Sequence, residues 1–444
     1  MTARSTSFGA ARCAPSTAIG TSHESQSRMA NRNGSSYSAY QGVVRANSHN
    51  SHGFTKPAVS TPDAARKGVS ASVAPAGALR YEAGMDSTTH VDFGEQVREF
   101  IKHVFTQLSG LVVSGMIYLG HHLGLYRALG DSVAVTSEEL AAKTGLHERW
   151  VREWLRGQAA AKLIDYHGDG RFALSPIAAL VFANENSPAF AAGAFAALPQ
   201  QLGVLEQLLE SFATGVGLPY DAFGPEGARG VEGMLAPWFR TMLVPMALPR
   251  LNGVVPKLTE GAKVADVGCG TGVALIEMAK AFPRSEFHGY DISRHALAHA
   301  EINKQYACLT NVNFHDAQAD PLPGDASYDF ITSFDCVHDM AHPAVVMQAI
   351  RKSIKPDGTW LIADINCKPT FEENLARNPM AAMMYGFSVL SCMSSSLSEP
   401  GGAGLGTLGF SEPVARRMTA EAGFTRFARH DFDNPVNAYY EVRP

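Results

Sequence analysis

The spacing of apolar positions divides the chain into four stretches. Residues 1–85 hold no sustained period of either 2 or 3.6, which predicts no packed element there. Residues 91–183 turn helical. Within them Thr136 and Ser137 are placed to cap a helix through Glu139 and Leu140, Gly145 makes a turn, and His147–Ala160 predicts a second helix. Leu163–Tyr166 and Phe172–Leu174 read as short strands around a turn at His167–Gly170, completing a winged helix-turn-helix pattern. Residues 184–255 form a helical connector, broken by a Gly- and Pro-rich loop at Gly215–Gly230; loops of this size often carry substrate contacts. In residues 256–444, from Gly261 onward, apolar strands alternate with amphipathic helices, the pattern of an α/β fold with a parallel sheet covered on both faces. The most apolar run, Leu108–Leu125, is interrupted by Ser109, Gly110, Ser114, Gly115 and Gly120. A membrane span wants about 20 nearly unbroken apolar residues, so this run predicts a buried helix and no membrane partner.

Composition narrows the class. The chain has 444 residues, 45% apolar and 18% charged, with a net charge of −5. That balance suits a globular protein and not a generally basic nucleic-acid binder. Residues 1–85 carry nine Lys and Arg against three Asp and Glu, a net of +6, which leaves −11 for the remainder. A basic, Ser-rich, acid-poor leader has the composition of a transit peptide or of an ordinary disordered tail. The first reading places the protein in a chloroplast or mitochondrion, the second in the cytoplasm. Six cysteines without a CxxC pair indicate neither a zinc ribbon nor a disulfide framework, so a reducing compartment is the simpler setting. Arg149, Arg152 and Arg156 on the second helix are diluted by Glu148, Glu153 and the apolar Trp150, Val151, Trp154 and Leu155. The module is expected to pack against a neighbour, with no nucleic acid as partner.

The chemistry concentrates at Val264–Gly272, VADVGCGTG. A strand ending at Asp266 is followed by a turn holding Gly268, Gly270 and Gly272, then by a helix whose start aims N–H groups at a ligand. Asp291 ends the next strand, where a carboxylate can accept hydrogen bonds from both ribose hydroxyls. The glycines alternate as GxGxG, whereas dinucleotide loops follow GxGxxG. With no pyrophosphate to cradle and an acidic Asp266 suited to an ammonium, the pattern favours S-adenosylmethionine. Asp316 and the Ala317 N–H, after the third strand, are candidates for the adenine amine and a ring nitrogen. Ile292 and Phe334, at the ends of the second and fourth strands, complete the expected cofactor set.

These motifs, with FDCVHDM, KPDGTWLIAD and NPVNAYYEVRP further on, resemble the class I S-adenosylmethionine-dependent methyltransferases that carry an N-terminal winged-helix domain. The resemblance covers roughly residues 91–444. It implies a Rossmann-like seven-stranded methyltransferase sheet, a small-molecule acceptor, and a homodimer built by an N-terminal module that also covers the active site. A narrower resemblance is to the enzymes of marine bacteria and algae that S-methylate 4-methylthio-2-hydroxybutyrate on the route to dimethylsulfoniopropionate. It implies a thioether carboxylate as the favoured acceptor. The alternatives are O-methylation of a phenolic or carboxylic metabolite, and a DNA-binding regulator that senses the cofactor.

A hydroxyl acceptor must lose a proton, which calls for a base such as His338 oriented by Asp339 or Asp335. A thioether has none to lose and needs a pocket that tolerates a new sulfonium. Asp339 is also a natural N-cap for the helix that follows. Trp238, Arg240 and Tyr385 are the candidate acceptor contacts, Arg240 as a carboxylate clamp. No His/Asp/Glu set has convincing metal-ligand spacing, His121 and His122 included.

Overall fold

The computed structural model describes residues 92–444; the leader, residues 1–85, lies outside the described residues. Helix α1 (Phe93–His122) starts at Asp92, whose side chain accepts from the Gly94 N–H. The expectation of a buried helix fails here. Within α1 only Ile117 and Gly120 are buried, while Phe100, Phe105 and Leu108 are 69%, 62% and 53% exposed. The reason is geometric, because among the described residues only the last turns of α1 reach other elements. By length and composition alone α1 is also apolar enough to cross a membrane.

The winged helix forms as the capping signals dictate. After α2 (Leu125–Ala128), α3 (Ser137–Thr144) begins in a complete Thr136–Glu139 capping box, and α4 (Glu148–Ala160) begins at His147. Strands β1 (Asp165–Tyr166) and β2 (Phe172–Ala173) form the wing. Its core closes over Leu129, Leu140, Val151, Trp154, Leu155 and Phe172. Arg149 and Arg152 pair with Glu153 and Glu148 along α4 at 2.6 and 2.5 Å, which neutralises much of that face.

α5 (Pro176–Phe182) ends the winged-helix stretch, and the connector holds α6 (Leu198–Gly203), α7 (Leu205–Thr214), a 3₁₀ turn at Tyr220–Phe223, and α8 (Gly224–Trp238), which runs on as a π-helical segment, Phe239–Ala247. The loop expected at Gly215–Gly230 is therefore helical from Gly224. Its glycines serve close packing: a Cβ on Gly230 would lie 2.3 Å from the Ala197 Cβ.

After α9 (Val254–Glu260) the chain builds one sheet. β3 (Lys263–Val267), α10 (Val273–Ala281), β4 (Glu286–Asp291), α11 (Arg294–Tyr306), β5 (Val312–Asp316), β6 (Tyr328–Phe334), α12 (Pro343–Ser353) and β7 (Ile354–Ile365) follow in order. Lys355–Gly358, the KPDG that opens one of the quoted motifs, lies inside β7, at a register irregularity between the Tyr328–Ile354 and Phe330–Thr359 pairs. Helices α13 (Phe371–Arg377), α14 (Ala381–Phe387) and α15 (Met393–Ser396) come next, α14 and α15 joined by a π-turn, Ser388–Cys392. The chain ends with α16 (Glu412–Glu421), β8 (Arg426–His430) and β9 (Asn437–Arg443). The strand order is β5-β4-β3-β6-β7-β9-β8, with β9 antiparallel to both neighbours and the other ladders parallel. This is the seven-stranded sheet the sequence leads one to expect.

Period-2 alternation sends side chains to two apolar layers. Val264, Phe330 and Leu361 face one, with Leu243 and Leu275. Ala265, Ile331 and Ile362 face the other, with Met347 and Tyr440. Strand order reverses at β3, where β4 lies on one side and β6 on the other. A ligand crevice opens at the carboxyl ends of strands at such a point.

Two glycines of α1 should respond oppositely to alanine. A Cβ on Gly120 meets Trp154 at 2.5 Å and Tyr126 at 2.7 Å, while one on Gly110 meets nothing within 4 Å. Gly120→Ala is expected to cost about 1–3 kcal/mol by overpacking, and Gly110→Ala to gain up to about 1 kcal/mol from helix propensity. Urea midpoints that move the same way for both variants would contradict this packing.

Candidate active site

The loop after β3 needs glycine for three different reasons. All three residues, Gly268, Gly270 and Gly272, have positive φ (76°, 54° and 76°). A Cβ on Gly268 would lie 2.6 Å from the Cys336 Sγ, and one on Gly272 2.4 Å from the Phe314 ring. Gly270 meets nothing within 4 Å, so backbone conformation alone selects it. Its N–H donates to Asp291 Oδ2 at 2.7 Å, while the Ser293 N–H donates to Asp291 Oδ1 at 2.8 Å. Asp291 thus ties β4 to the glycine loop. Burial raises its carboxyl against these N–H donors. Each oxygen keeps a second lone pair, which suits the two hydroxyls of a ribose.

The other expected cofactor residues divide. Ile292 is exposed beside Asp291. Asp316 lies opposite Asp291 on the neighbouring strand, exposed, with its Oδ1 accepting from the Gln318 N–H; its second oxygen is open to an adenine amine. The Ala317 N–H is committed to Asp291 O at 2.9 Å, which removes it as a donor to a ring nitrogen. Asp266 is buried beneath the loop and accepts from Thr332 Oγ1 at 2.7 Å. Burial pushes its carboxyl up to about 7, with Asp291 adding in the same direction. It acts toward a ligand as a buried charge, and a nearby cation would stabilise its ionised form. Phe334 is packed edge-on against Phe239 at 4.9 Å, a wall residue and not an open cofactor contact.

Past β6 the chain turns through Asp335, at φ +51°, into a 3₁₀ turn, Val337–Asp339. His338 is buried and its Nδ1 lies 2.7 Å from Asp364 Oδ1. Asp364, near the end of β7, also accepts from the Ile365 N–H. His338 therefore takes its orientation from Asp364, a residue missed from the sequence, and not from Asp339 or Asp335. Nor is Asp339 a helix cap, because α12 starts only at Pro343, with His342 at the N-cap position.

Burial pulls the His338 imidazolium down, but the Asp364 carboxylate and the Cys392 sulfur outweigh it and hold His338 well above its ordinary value. Burial pushes Asp339 up to about 7 and Asp335 up to about 6; His338 opposes both shifts and Asp364 reinforces them. Asp335 also accepts from Asn437 Nδ2 at 2.7 Å. Two carboxyl groups, those of Asp335 and Asp339, are thus held near neutrality beside the His338–Asp364 pair. Asp335, His338 and Asp364 also bring three ligand atoms within 4.8 Å of one another, a convergence invisible in their spacing along the chain. The expectation that no metal-ligand set exists is corrected to that extent.

Of the acceptor candidates, only Trp238 reaches this edge. It stacks on Tyr439 at 5.1 Å and, with Phe334, Asp335 and Asn437, lines a 20 Å³ cavity. Its buried Nε1 has no hydrogen-bond partner among the described residues. Arg240 points to Glu232, 4.0 Å away, which also meets His299 and Asn303. Asn303 in turn donates to Thr271 O, so this group braces the glycine loop from behind and Arg240 clamps nothing in the crevice. Tyr385 packs on Phe371 on the exposed side of α14, away from the site. His121 and His122 pack on Phe190 and Tyr118.

With this geometry the comparisons agree. Residues 258–398 match the family described as "Methyltransferase domain", and residues 111–182 match the Rv2258c-like winged HTH domain. The ubiquinone biosynthesis O-methyltransferase of Leptothrix cholodnii is 31% identical over 127 residues, 28% of this chain and 53% of that protein. Its counterpart in Paracidovorax citrulli is 27% identical over 124 residues, 28% and 50% of the two chains. The chain spans about half the length of the curated relatives it matches. Among solved structures, the mitomycin 7-O-methyltransferase MmcR superposes with a TM-score of 0.55 at 18% identity, over 79% of this chain and 99% of that one. Human N-acetylserotonin methyltransferase, in complex with SAM, gives 0.53 at 16% identity, over 81% and 99%. Those likenesses are of fold. The methyltransferase match thus falls on the part of the chain that holds β3 to β7, and the winged-helix match on the module that precedes it.

The raised carboxyl of Asp266 has a consequence for stability. The folded chain holds a proton there that the unfolded chain releases near pH 4, so this contribution is present at low pH and is lost as pH rises through about 7. Asp266→Asn is expected to flatten the fall in melting temperature between pH 5 and pH 8, with its largest gain at pH 8. An unchanged slope would show that the carboxylate is accommodated at no cost.

Proposed function

We propose that the chain is an S-adenosylmethionine-dependent methyltransferase acting on a small molecule. The bound nucleoside supplies an electrophilic sulfonium methyl with a neutral thioether as leaving group. Asp291 holds the ribose, Asp316 the adenine edge, and the glycine loop admits the backbone close to the methionyl part. Trp238, Phe239 and Phe334 exclude water from the acceptor side, which favours in-line displacement.

The buried His338–Asp364 pair, 2.7 Å apart at the carboxyl edge, carries the reading of the acceptor. Asp364 stabilises the imidazolium of His338, the form reached when a neutral imidazole takes the proton that a hydroxyl acceptor loses, so the pair serves as base in its neutral-imidazole form; a thioether has no such proton to give. Small-molecule O-methylation is the reading this supports best, and the names of the relatives point the same way.

A thioether carboxylate such as 4-methylthio-2-hydroxybutyrate is the second reading. The excess of carboxyl groups and the stacked Trp238–Tyr439 rings favour it, since both suit a new sulfonium. With Arg240 turned away, the acceptor's carboxylate would fall to the His338 Nε2–H.

A radiolabelled-methyl assay across phenols and thioethers separates the two. For a hydroxyl acceptor, His338→Ala and Asp364→Asn are expected to lower kcat by about 10²–10⁴-fold. Near-full turnover of a thioether by both variants would select the second reading, and no turnover of any acceptor by the intact protein would end both. Activity is expected to survive a chelator; loss with EDTA and rescue by a divalent cation would turn Asp335, His338 and Asp364 into metal ligands.

The chain is also proposed to form a homodimer through α1, whose Phe100, Phe105 and Leu108 are exposed among the described residues. Phe105→Asp with Leu108→Asp is expected to halve the mass seen by sedimentation. A monomeric wild-type protein would count against the dimer.

A further inference from the structure

The segment between α7 and α8 crosses the crevice as a strap anchored at both ends. At its start the Gly217 N–H donates to Leu397 O at 3.0 Å, and the Leu218 N–H donates to Ser394 Oγ at 2.8 Å. The approach is so close that a Cβ on Gly217 would lie 1.8 Å from Ser394 O. At its far end Asp221 accepts from Ser293 Oγ at 2.6 Å and pairs with Arg294 Nε at 3.2 Å. Ser293 lies two residues beyond the sugar-binding Asp291, and Ser394 two residues beyond Cys392, the neighbour of His338. The strap therefore joins the nucleoside side of the crevice to its catalytic side.

Tyr220 sits between those anchors. Its ring meets Phe223 edge-on at 6.3 Å, and its hydroxyl has no hydrogen-bond partner among the described residues. Burial keeps the phenol neutral, and the carboxylates of Asp339 and Asp291 act in the same direction. The strap thus sets an aromatic residue between its anchor at Ser293, next to the sugar-holding Asp291, and its anchor at Ser394, next to the reacting edge. That gap is where a sulfonium must lie if Asp291 holds its ribose. An aromatic face there attracts positive charge.

We propose that Tyr220 contacts the sulfonium centre of the methyl donor and makes the site prefer that cation to its neutral thioether product. The inference rests on the methyltransferase reading above and adds a contact that selects by charge.

Calorimetry on the full chain tests it with S-adenosylmethionine and S-adenosylhomocysteine, which share every group except the methyl and its charge. Tyr220→Phe keeps the ring and is expected to keep the wild-type ratio of the two affinities. Tyr220→Leu is expected to weaken S-adenosylmethionine roughly tenfold more than S-adenosylhomocysteine, and Tyr220→Met gives a second non-aromatic reading of the same ratio. Retained S-adenosylhomocysteine binding shows that a variant is folded. Equal losses for both ligands, or no loss for either, would overturn the sulfonium contact while leaving the methyltransferase reading in place. A wild-type chain that binds neither ligand would overturn both.

Discussion

A single carboxylate organises the crevice. Asp291 reaches from the end of β4 to the Gly270 N–H with one oxygen and to the Ser293 N–H with the other. The first bond holds the glycine loop in its left-handed conformation, and the second starts the turn into α11. Because Ser293 also receives the strap through Asp221, the loop, the sheet edge and the strap share one point of attachment. Removing that charge would loosen the glycine loop and the turn that receives the strap, leaving the Gly268 and Cys269 N–H bonds to Tyr290 O to hold the loop to β4. The cost of burying it is met by N–H donors and not by an arginine or lysine, which leaves the site anionic and receptive to a cationic nucleoside.

A second economy lies in the sheet. Strands β6 and β7 run parallel and side by side, so their carboxyl ends deliver Asp335 and Asp364 to the same place, and the short turn after β6 swings His338 back between them. No loop closure is needed to assemble the pair. Its geometry follows from the ladder, with the antiparallel β9 adding Asn437 from the other side. Sites set by ladders hold their geometry more closely than sites set by mobile loops.

Most of the scaffold was legible in the sequence, because strand alternation, helix caps and positive-φ glycines are local demands. The capping box at Thr136 and the loop glycines need only a few residues to declare themselves. What escaped depended on distant or non-standard geometry. Asp364 lies 26 residues from His338, and nothing in the string WLIAD marks it as a partner. Arg240 and Trp238 are neighbours in sequence but face different ways, because the helix changes its winding at Phe239. The Gly215–Gly230 stretch has the composition of a loop, yet Gly227 and Gly230 serve close approach to Phe223 and Ala197. For α1, the apolar run revealed a helix but not that most of it lies exposed among the described residues.

The outermost strand of the sheet has a bearing on how copies of the molecule meet. Among the described residues β8 leaves its outer edge unpaired, with Arg426 exposed and Arg429 paired with Glu412 at 2.9 Å, and a second rim brought against it would have to take these charged groups out of water. Edge-to-edge growth of the sheet into fibrils is thereby discouraged. Self-association is steered away from the backbone ladder and left to side-chain surfaces, which distinguish one partner from another far better than a row of amides does.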